Sequence, residues 1–194
     1  EISDRKLIFD YFAGELLARG TLTEQDFLLK TSLLPKFTVA LAKMLTNNAD
    51  AQGILDDLTR RNYFTMRHLG DPPFFEYHPL FREFLQHQVI CRYDVDEHNA
   101  LRGRAAQLLM IQGNVEAAAK IYIEDATWDK LAELSLLHAE QIISQGRHTT
   151  LREWLEALPA TLLDSNTWLR FWLGVATQSI DLFKAREHFT QAYR

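Results

Sequence analysis

The feature that most limits the fold of this chain is a change of hydrophobic period in its first half. Up to residue 61 the apolar residues recur at helical spacing. From Phe64 to His78 they alternate with polar residues instead, around the turn Gly70-Asp71-Pro72-Pro73. Helical spacing resumes at Pro79, and proline is well tolerated at the first position of a helix. Short helices, a two-stranded wing and a further helix predict a winged-helix domain.

Local signals predict where the helices of this half begin and which faces they bury. Thr23, followed by Glu24-Gln25-Asp26, predicts an N-cap with acidic residues in the first turn, and Asp50 predicts the cap of the helix before the wing. Four apolar residues of the first helix lie at helical spacing: Ile8, Tyr11, Phe12 and Leu16. The apolar stripe predicted after Pro79 consists of Leu80, Phe81, Phe84 and Leu85.

The second half of the chain repeats a helical unit. After His98 no strand pattern occurs, and the turns Gln112-Gly113-Asn114 and Gln145-Gly146-Arg147 lie 33 residues apart, with Gln178-Ser179 a further 33 on. This period predicts stacked helical hairpins, which bury their apolar faces against neighbouring repeats. Two trios share one spacing that resembles the Ala, aromatic, Ala trio of tetratricopeptide repeats: Ala119, Ile123 and Ala126, and Ala185, Phe189 and Ala192.

Composition argues against several classes of protein. The formal net charge of −5 gives the whole chain no attraction for nucleic acid. No apolar run approaches the roughly 20 residues that cross a bilayer, and the first residues lack the apolar stretch of a signal peptide. The single cysteine, Cys91, excludes an internal disulfide and a cysteine-based zinc site. We therefore expect a cytoplasmic protein that does not contact a membrane.

The sequence contains no complete catalytic site. Neither G-x-x-x-x-G-K-[ST] nor G-x-G-x-x-G occurs, so the phosphate-binding loops are absent. The serines lack the flanking residues of a nucleophile elbow. No histidines have the H-E-x-x-H spacing of a zinc site, and four of them are spread over separate predicted helices: His98, His138, His148 and His188. We predict no enzymatic activity, no catalytic residue and no metal site, and we interpret these groups as surface polar residues and helix caps.

A winged helix raises the possibility of DNA binding, which the residues of its usual recognition helix argue against. The helix from Asp50 to Arg61 carries Asp56 and Asp57, and its arginines lie only at the far end. Acidic side chains are repelled by the phosphate backbone, whereas base contacts are normally made from a basic surface. We predict that this domain is an internal module and not a DNA reader.

His78 is the one candidate site residue. It lies in Tyr77-His78-Pro79-Leu80-Phe81-Arg82-Glu83-Phe84-Leu85, at the end of a predicted strand and just before a helix N-terminus. Free backbone N–H groups and the helix dipole make such a position suitable for binding an anion. The alternative is that His78 caps its own helix through a local hydrogen bond, and the residue types alone favour this alternative.

Several segments of the chain carry a resemblance to a known family. Three of them precede Tyr77–Leu85 in order: Phe9-Asp10-Tyr11-Phe12, Asp26-Phe27-Leu28-Leu29-Lys30-Thr31-Ser32-Leu33-Leu34 and Leu58-Thr59-Arg60-Arg61-Asn62-Tyr63-Phe64. Together they resemble the large ATP-binding regulators of the LuxR type, the family of the bacterial maltose-regulon activator. The stretch from Arg147 to Pro159 also resembles the R-x-x-x-L-x-x-W-L-x-A-L-P segment of the family.

The resemblance implies a piece of a multidomain signal-transduction ATPase, and the missing initiator Met agrees with that expectation. The expected domains are a winged helix in residues 1–95, a helical arm in residues 96–164 and the truncated start of tetratricopeptide-like sensor repeats in residues 165–194. The family adds a nucleotide-binding domain before them and a DNA-binding helix-turn-helix after them. The implied partners are the protein's own nucleotide-binding domain and an inducer or regulatory protein at the repeats. DNA would be bound only through the absent C-terminal domain.

The resemblance also implies a role for His78. In related switch ATPases, a histidine of the winged helix contacts the β-phosphate of ADP and holds the closed, inactive form. His78 is similar in motif and position, which makes it the nucleotide-sensing candidate. The implied cofactor is ATP or ADP with Mg in the intact protein and none in this piece. The alternative function is a freestanding helical-repeat adaptor that binds a protein or peptide, which exposed tryptophans among Trp128, Trp154, Trp168 and Trp172 would favour.

Overall fold

A computed structural model describes the backbone of residues 2–193 and the side chains of residues 9–193. The chain divides into two compact units, Glu1–Gly113 and Asn114–Arg194. The mainly α fold with a two-stranded wing, predicted from the sequence, is confirmed. The domain boundaries expected after residues 95 and 164 remain a prediction.

The first unit contains the winged helix. Its elements in order are α1 (Ile2–Arg19), α2 (Leu22–Thr31), α3 (Val39–Thr46), α4 (Ala51–Arg60), β1 (Thr65–His68), β2 (Phe74–Tyr77), α5 (Pro79–Arg92) and α6 (Val95–Ile111). Helix α2 packs against α3 and α5, and α6 packs against α3 and α5.

The start of α2 differs from the sequence prediction by two residues. Thr21, and not Thr23, is the N-cap, because its hydroxyl accepts the N–H of Glu24 while the Glu24 carboxylate accepts the N–H of Thr21. This reciprocal pair is a capping box, which satisfies two N–H groups at once. The predicted cap Asp50 does precede α4, although its side chain makes no capping hydrogen bond.

The wing buries one face of β2. Strands β1 and β2 are antiparallel, with Thr65 opposite Tyr77 and His68 opposite Phe74. Phe75 and Tyr77 are buried, as expected for the inward positions of an alternating strand. Phe64 lies before β1 and not within it, because its positive φ of 47° is incompatible with a strand.

The apolar stripes of two helices are corrected by the structure. In α1 the buried residues are Ala13 and Leu17, whereas Tyr11 and Phe12 are exposed, and the side chain of Ile8 lies outside the described residues. In α5 the core-facing residues are Phe81, Leu85 and Val89, while Leu80 is exposed. In α1 the tertiary contacts therefore select a face rotated from the predicted one, whereas in α5 the predicted Phe81 and Leu85 are buried and only the edge of the stripe differs.

The second unit is a series of helices without a strand in its described residues. Its elements are α7 (Val115–Glu124), α8 (Trp128–Ser144), α9 (His148–Ala157), α10 (Ala160–Ser165), α11 (Thr167–Thr177) and α12 (Leu182–Ala192). Helix α8 packs against α7 and α9, and α11 packs against α9 and α12. Successive contacts of this kind are what a stack of helical hairpins requires.

The predicted turns of the repeats coincide with the helix ends. Gly113 and Gly146 each follow a helix and adopt φ +74°, the left-handed conformation that glycine reaches without strain. Of the predicted trios, Ala185 and Ala192 are buried on α12. Ala126 is different, because α7 ends at Glu124 and Ala126 lies in the following turn. The trio spacing therefore describes α12 and not α7.

Within residues 2–193, no helix is both long enough and apolar enough to cross a membrane.

Candidate functional site

The motif around His78 joins the end of β2 to the start of α5, and most of its polar groups have structural partners. The hydroxyl oxygens of Tyr77 and Thr31 are 2.7 Å apart, and both residues are buried. Thr31 donates its only proton to the carbonyl of Phe27 at 2.7 Å, so the Tyr77 hydroxyl is the donor to Thr31. Burial raises the pKa of the Tyr77 phenol above its ordinary value. The hydrogen bond between Tyr77 and Thr31 connects the wing to α2.

Arg82 has a structural role on the other side of His78. Its Nε donates to the carbonyl of Ser32 at 2.8 Å, and Gln86 Nε2 donates to the same carbonyl at 3.0 Å. Ser32 is the C-cap of α2, and the last carbonyls of a helix have no N–H partner within the helix. A cation at this end is also favoured by the helix dipole. The two side chains of α5 thus close the end of α2.

His78 differs from these neighbours because its side chain is exposed and makes no capping hydrogen bond. Its backbone is held firmly: the His78 N–H donates to the carbonyl of Phe64 at 2.8 Å, and its carbonyl accepts the N–H of Arg82 at 2.9 Å. The local alternative, in which the imidazole caps its own helix, is therefore not what the structure shows. The imidazole is left for contacts beyond this loop.

Two aromatic rings flank the imidazole. The ring centroid of His78 lies 6.3 Å from that of Phe9 on α1 and 6.2 Å from that of Phe64. Phe9 and Phe64 are themselves 5.2 Å apart. These three residues, which we call the His78 cluster, place one exposed imidazole between two half-buried rings. Such contacts restrict the orientation of the imidazole without using its nitrogen atoms.

A groove of about 440 Å³ starts beside the cluster and runs between α1 and α5. Its apolar lining consists of Phe9, Leu80 and Phe84, and its polar lining includes Asp10 and His87. Phe9 belongs to both the groove and the His78 cluster. The exposed imidazole and an apolar depression therefore share one side of the winged helix.

The helix usually used for DNA recognition is acidic and internally paired. On α4, Asp57 forms ion pairs with Arg60 and, at 2.6 Å, with Arg61. Asp56 lies 3.8 Å from Arg67 of the wing. The arginines at this end are thus close to carboxylates on the same surface, which reduces the positive potential that phosphate binding requires. That this domain does not read DNA stays a prediction.

The other candidate groups do not assemble. Among the described residues, no three His, Cys, Asp or Glu side chains come together as a metal site would require. Cys91 is exposed, with its sulfur 3.9 Å from His87 Nδ1, and no third His, Cys, Asp or Glu among residues 9–193 joins this pair in a metal-binding group. The tryptophans divide: Trp154 is buried between helices, whereas Trp168 is 63% exposed.

Reasoning from the sequence missed Phe9 and Phe64 as neighbours of His78. They are 55 residues apart, and neither spacing nor period relates them to each other or to position 78. A signal was nevertheless present, since both residues lie within the segments that carry the family resemblance. Residues in separate segments of this kind can be recognised as neighbours only when the fold is known.

Comparison with known proteins gives one family match and a set of relatives. Residues 13–97 match the family model for the MalT winged helix domain. The chain is 28% identical over 170 residues to the HTH-type transcriptional regulator MalT of Vibrio campbellii (strain ATCC BAA-1116). These 170 residues are 86% of this chain and 19% of that protein.

Two further relatives agree with this match. The MalT regulator of Cronobacter sakazakii (strain ATCC BAA-894) is 29% identical over 168 residues, 84% of this chain and 18% of that protein. The MalT regulator of Vibrio parahaemolyticus serotype O3:K6 (strain RIMD 2210633) is 29% identical over 172 residues, 86% of this chain and 19% of that protein. The chain spans about a fifth of the length of these relatives.

Proposed function

We infer from the match of residues 13–97 to the MalT winged helix domain that this chain, a relative of the MalT regulators, is a regulatory part of a transcription activator. The match agrees with the family resemblance found in the sequence. In this proposal the helical hairpins receive a signal, and the winged helix passes it to a nucleotide-binding domain of the same protein. The protein is cytoplasmic, contacts no membrane and binds DNA through a separate C-terminal domain.

The observation that carries the proposal is the contrast within one motif. Tyr77 and Arg82 bind groups inside the domain, at 2.7 and 2.8 Å, whereas the imidazole of His78 between them makes no hydrogen bond with the described residues. An exposed N–H donor beside a helix N-terminus suits an anionic oxygen. We propose that His78 contacts the β-phosphate of ADP held by the nucleotide-binding domain.

The nucleotide itself would be held mainly by residues outside this chain. One imidazole and one helix N-terminus supply a single contact, and the sequence has no phosphate loop. When bound with Mg, ATP or ADP would supply the two ligand states between which the protein switches. The contribution of this chain is to recognise one of them through His78.

The switch requires that each ligand bind the two states with different affinity. His78 would favour the closed, ADP-bound state, because the contact exists only while the winged helix lies against the nucleotide. An inducer or regulatory protein at the repeats would favour an open, ATP-bound state. Hydrogen bonds to charged groups contribute roughly 1.5–3 kcal/mol, so the loss of this contact should change ADP affinity about tenfold or more.

The test is His78→Ala in the full-length regulator. We expect faster ADP release in stopped-flow measurements with a fluorescent ADP and higher transcription without inducer in a reporter assay. The matched control is His87→Ala, which removes an exposed histidine that lies within α5 and outside the His78 cluster. Equal ADP release rates and equal basal transcription for His78→Ala and the unchanged protein would contradict the proposal.

The isolated 194-residue chain provides a second test. Titration calorimetry should detect no ATP or ADP binding at micromolar affinity, because the phosphate loop is missing. Micromolar binding would show that the nucleotide site lies within this chain and would require a different account of His78.

A second function, a helical-repeat adaptor without a nucleotide, is favoured by one observation. The side chains of Trp168, Leu182 and Phe183 are 63%, 69% and 84% exposed. Exposed aromatic and aliphatic residues of this kind are enriched where proteins bind partners. The complete reading frame separates the two functions, since an upstream G-x-x-x-x-G-K-[ST] and a downstream helix-turn-helix belong only to the first.

A further inference from the structure

Phe64 adopts a backbone conformation that is unfavourable for a phenylalanine. Its φ of +47° lies in the left-handed region, which asparagine and glycine enter readily and bulky residues rarely do. Asn62, two residues earlier, adopts φ +54° and is a residue type expected there. A phenylalanine in this conformation is strained, and such strain persists only where surrounding contacts hold it.

The contacts that hold Phe64 lead to His78. The Phe64 carbonyl accepts the N–H of His78 at 2.8 Å, and its ring centroid lies 6.2 Å from the imidazole. The same ring lies 5.2 Å from Phe9 and 5.4 Å from Phe81. Asparagine or glycine at position 64 would relieve the backbone but would remove the ring that borders the imidazole.

We propose that Phe64, supported by Phe9, is a positioning residue that sets the orientation of the His78 imidazole. The hydrogen bond from the His78 N–H to the Phe64 carbonyl holds the backbone of His78 in place. The rings of Phe9 and Phe64 limit the directions in which its side chain can point. Orientation matters because a hydrogen bond weakens steeply when donor and acceptor are misaligned. The expected effect on ADP release rests on the proposed function of His78, whereas the orientation of the imidazole by Phe64 does not.

The structural content can be measured without a nucleotide. In NMR spectra of the 194-residue chain with labelled histidine, the ring protons of His78 should be displaced by the ring currents of Phe9 and Phe64. Phe64→Leu should weaken the nuclear Overhauser effect between the His78 imidazole and the Phe9 ring, which does not depend on the ring current of Phe64, whereas Phe64→Tyr, which keeps the ring, should preserve it. If Phe64→Leu fails to fold, Phe64→Asn relieves the left-handed backbone and removes the ring in the same way.

A second histidine provides the matched control. His68 stacks on Phe74 at 4.7 Å between centroids, at the far end of the wing strands. Phe74→Leu should move the His68 signals and leave those of His78 unchanged. The inference is overturned if folded Phe64→Leu and Phe64→Asn preserve the nuclear Overhauser effect between His78 and Phe9, since Phe64 would then act on stability alone.

The consequence is measured in the full-length regulator. Phe64→Leu should accelerate ADP release on the order of tenfold, as His78→Ala does, and the double variant should be no faster than His78→Ala. If His78→Ala accelerates release and Phe64→Leu does not, the positioning role is wrong and the proposed function stands. If neither variant changes release, the proposed function fails, and the NMR result alone decides whether Phe64 orients His78.

Discussion

The two units of this chain differ in the contacts that stabilise each of them internally. In the first unit, side-chain hydrogen bonds connect residues that are far apart in sequence: Thr31 with Tyr77, Arg82 with the Ser32 carbonyl, and Tyr93 with Asp26 at 2.7 Å. In the second unit, helices contact their successors, and the ion pair between Arg147 and Glu116 spans one repeat. The first unit depends on non-local contacts, and the second depends on neighbouring helices.

This difference predicts different responses to substitution. A unit tied together by non-local contacts should lose its structure as a whole when one central side chain is removed. A stack of hairpins should instead respond mainly through the affected interface. The four tryptophans all lie after Asn114, so tryptophan fluorescence reports on the second unit, whereas circular dichroism reports on both.

The largest effect is expected for Phe75→Ala in the first unit. Phe75 is fully buried, stacks near Phe37 at 6.4 Å and forms two backbone hydrogen bonds with it. Removing a buried phenylalanine costs about 3–5 kcal/mol. Urea unfolding should show an early transition by circular dichroism that tryptophan fluorescence does not follow.

The control for this prediction is Phe183→Ala, because Phe183 is 84% exposed and should change the free energy of unfolding by less than about 0.5 kcal/mol. An equal shift of both signals in Phe75→Ala would show that the two units unfold together and would remove the contrast between them.

The next effect is expected for Gly174→Ala in the second unit. A Cβ at Gly174 would lie 2.7 Å from the Phe189 ring, so this ring, and with it the packing of α12 on α11, would have to shift. Overpacking of this kind costs roughly 1–3 kcal/mol, and here the fluorescence transition should shift first.

Gly103→Ala is the matched substitution, since a Cβ there meets nothing within 4 Å and Gly103 lies inside α6. It should stabilise the first unit by about 0.5–1 kcal/mol through helix propensity. Destabilisation by both alanines would mean that helix packing around Gly174 is not the cause.

A smaller effect is expected for Tyr77→Phe. Losing one buried hydrogen bond to Thr31 should lower the free energy of unfolding by about 0.5–1.5 kcal/mol at neutral pH. Burial raises the pKa of Tyr77 in the folded state. As the pH rises above about 10, the phenol therefore ionises in the unfolded state while it stays protonated in the folded state, and the free energy of unfolding falls. The variant should therefore lose less stability than the unchanged chain in that alkaline range. A constant difference from pH 7 to 11 would argue against the buried phenol.

The smallest effect concerns His188 on α12. Burial, and next the charge of Arg170, lower the pKa of His188, while Glu187 and Glu156 oppose the shift and Lys184 adds to it. The unfolded chain therefore binds this proton more readily, and the second unit should lose stability as the pH falls below about 6.5. His188→Gln should flatten that part of the fluorescence-monitored stability curve. An unchanged slope would show that another group titrates there.

The wing shows how far sequence patterns reach in the first unit. Alternation around Gly70-Asp71-Pro72-Pro73 predicted the two strands, because side chains of a strand point alternately to two faces. It placed Phe75 and Tyr77 correctly, yet it included Phe64 in the first strand. Local period cannot reveal that the Phe64 backbone is left-handed, since that conformation depends on the bond to His78 and on three neighbouring rings.

In the second unit the sequence determined more, because its structure is mostly local. The 33-residue spacing marked the turns at Gly113 and Gly146, and the spacing of Ala185 and Ala192 marked the buried face of α12. The same spacing failed at Ala126, where α7 had already ended. Helix length depends on capping, and the hydrophobic period does not record it.

For this protein, the sequence by itself determined the order of helices and wing, the position of the turns and the choice of His78 as the residue to consider. Only the tertiary structure decided which groups around His78 are already satisfied. Period and capping are local properties, whereas a hydrogen bond between residues 31 and 77, or a ring from residue 9 beside residue 78, exists only after distant segments have packed together.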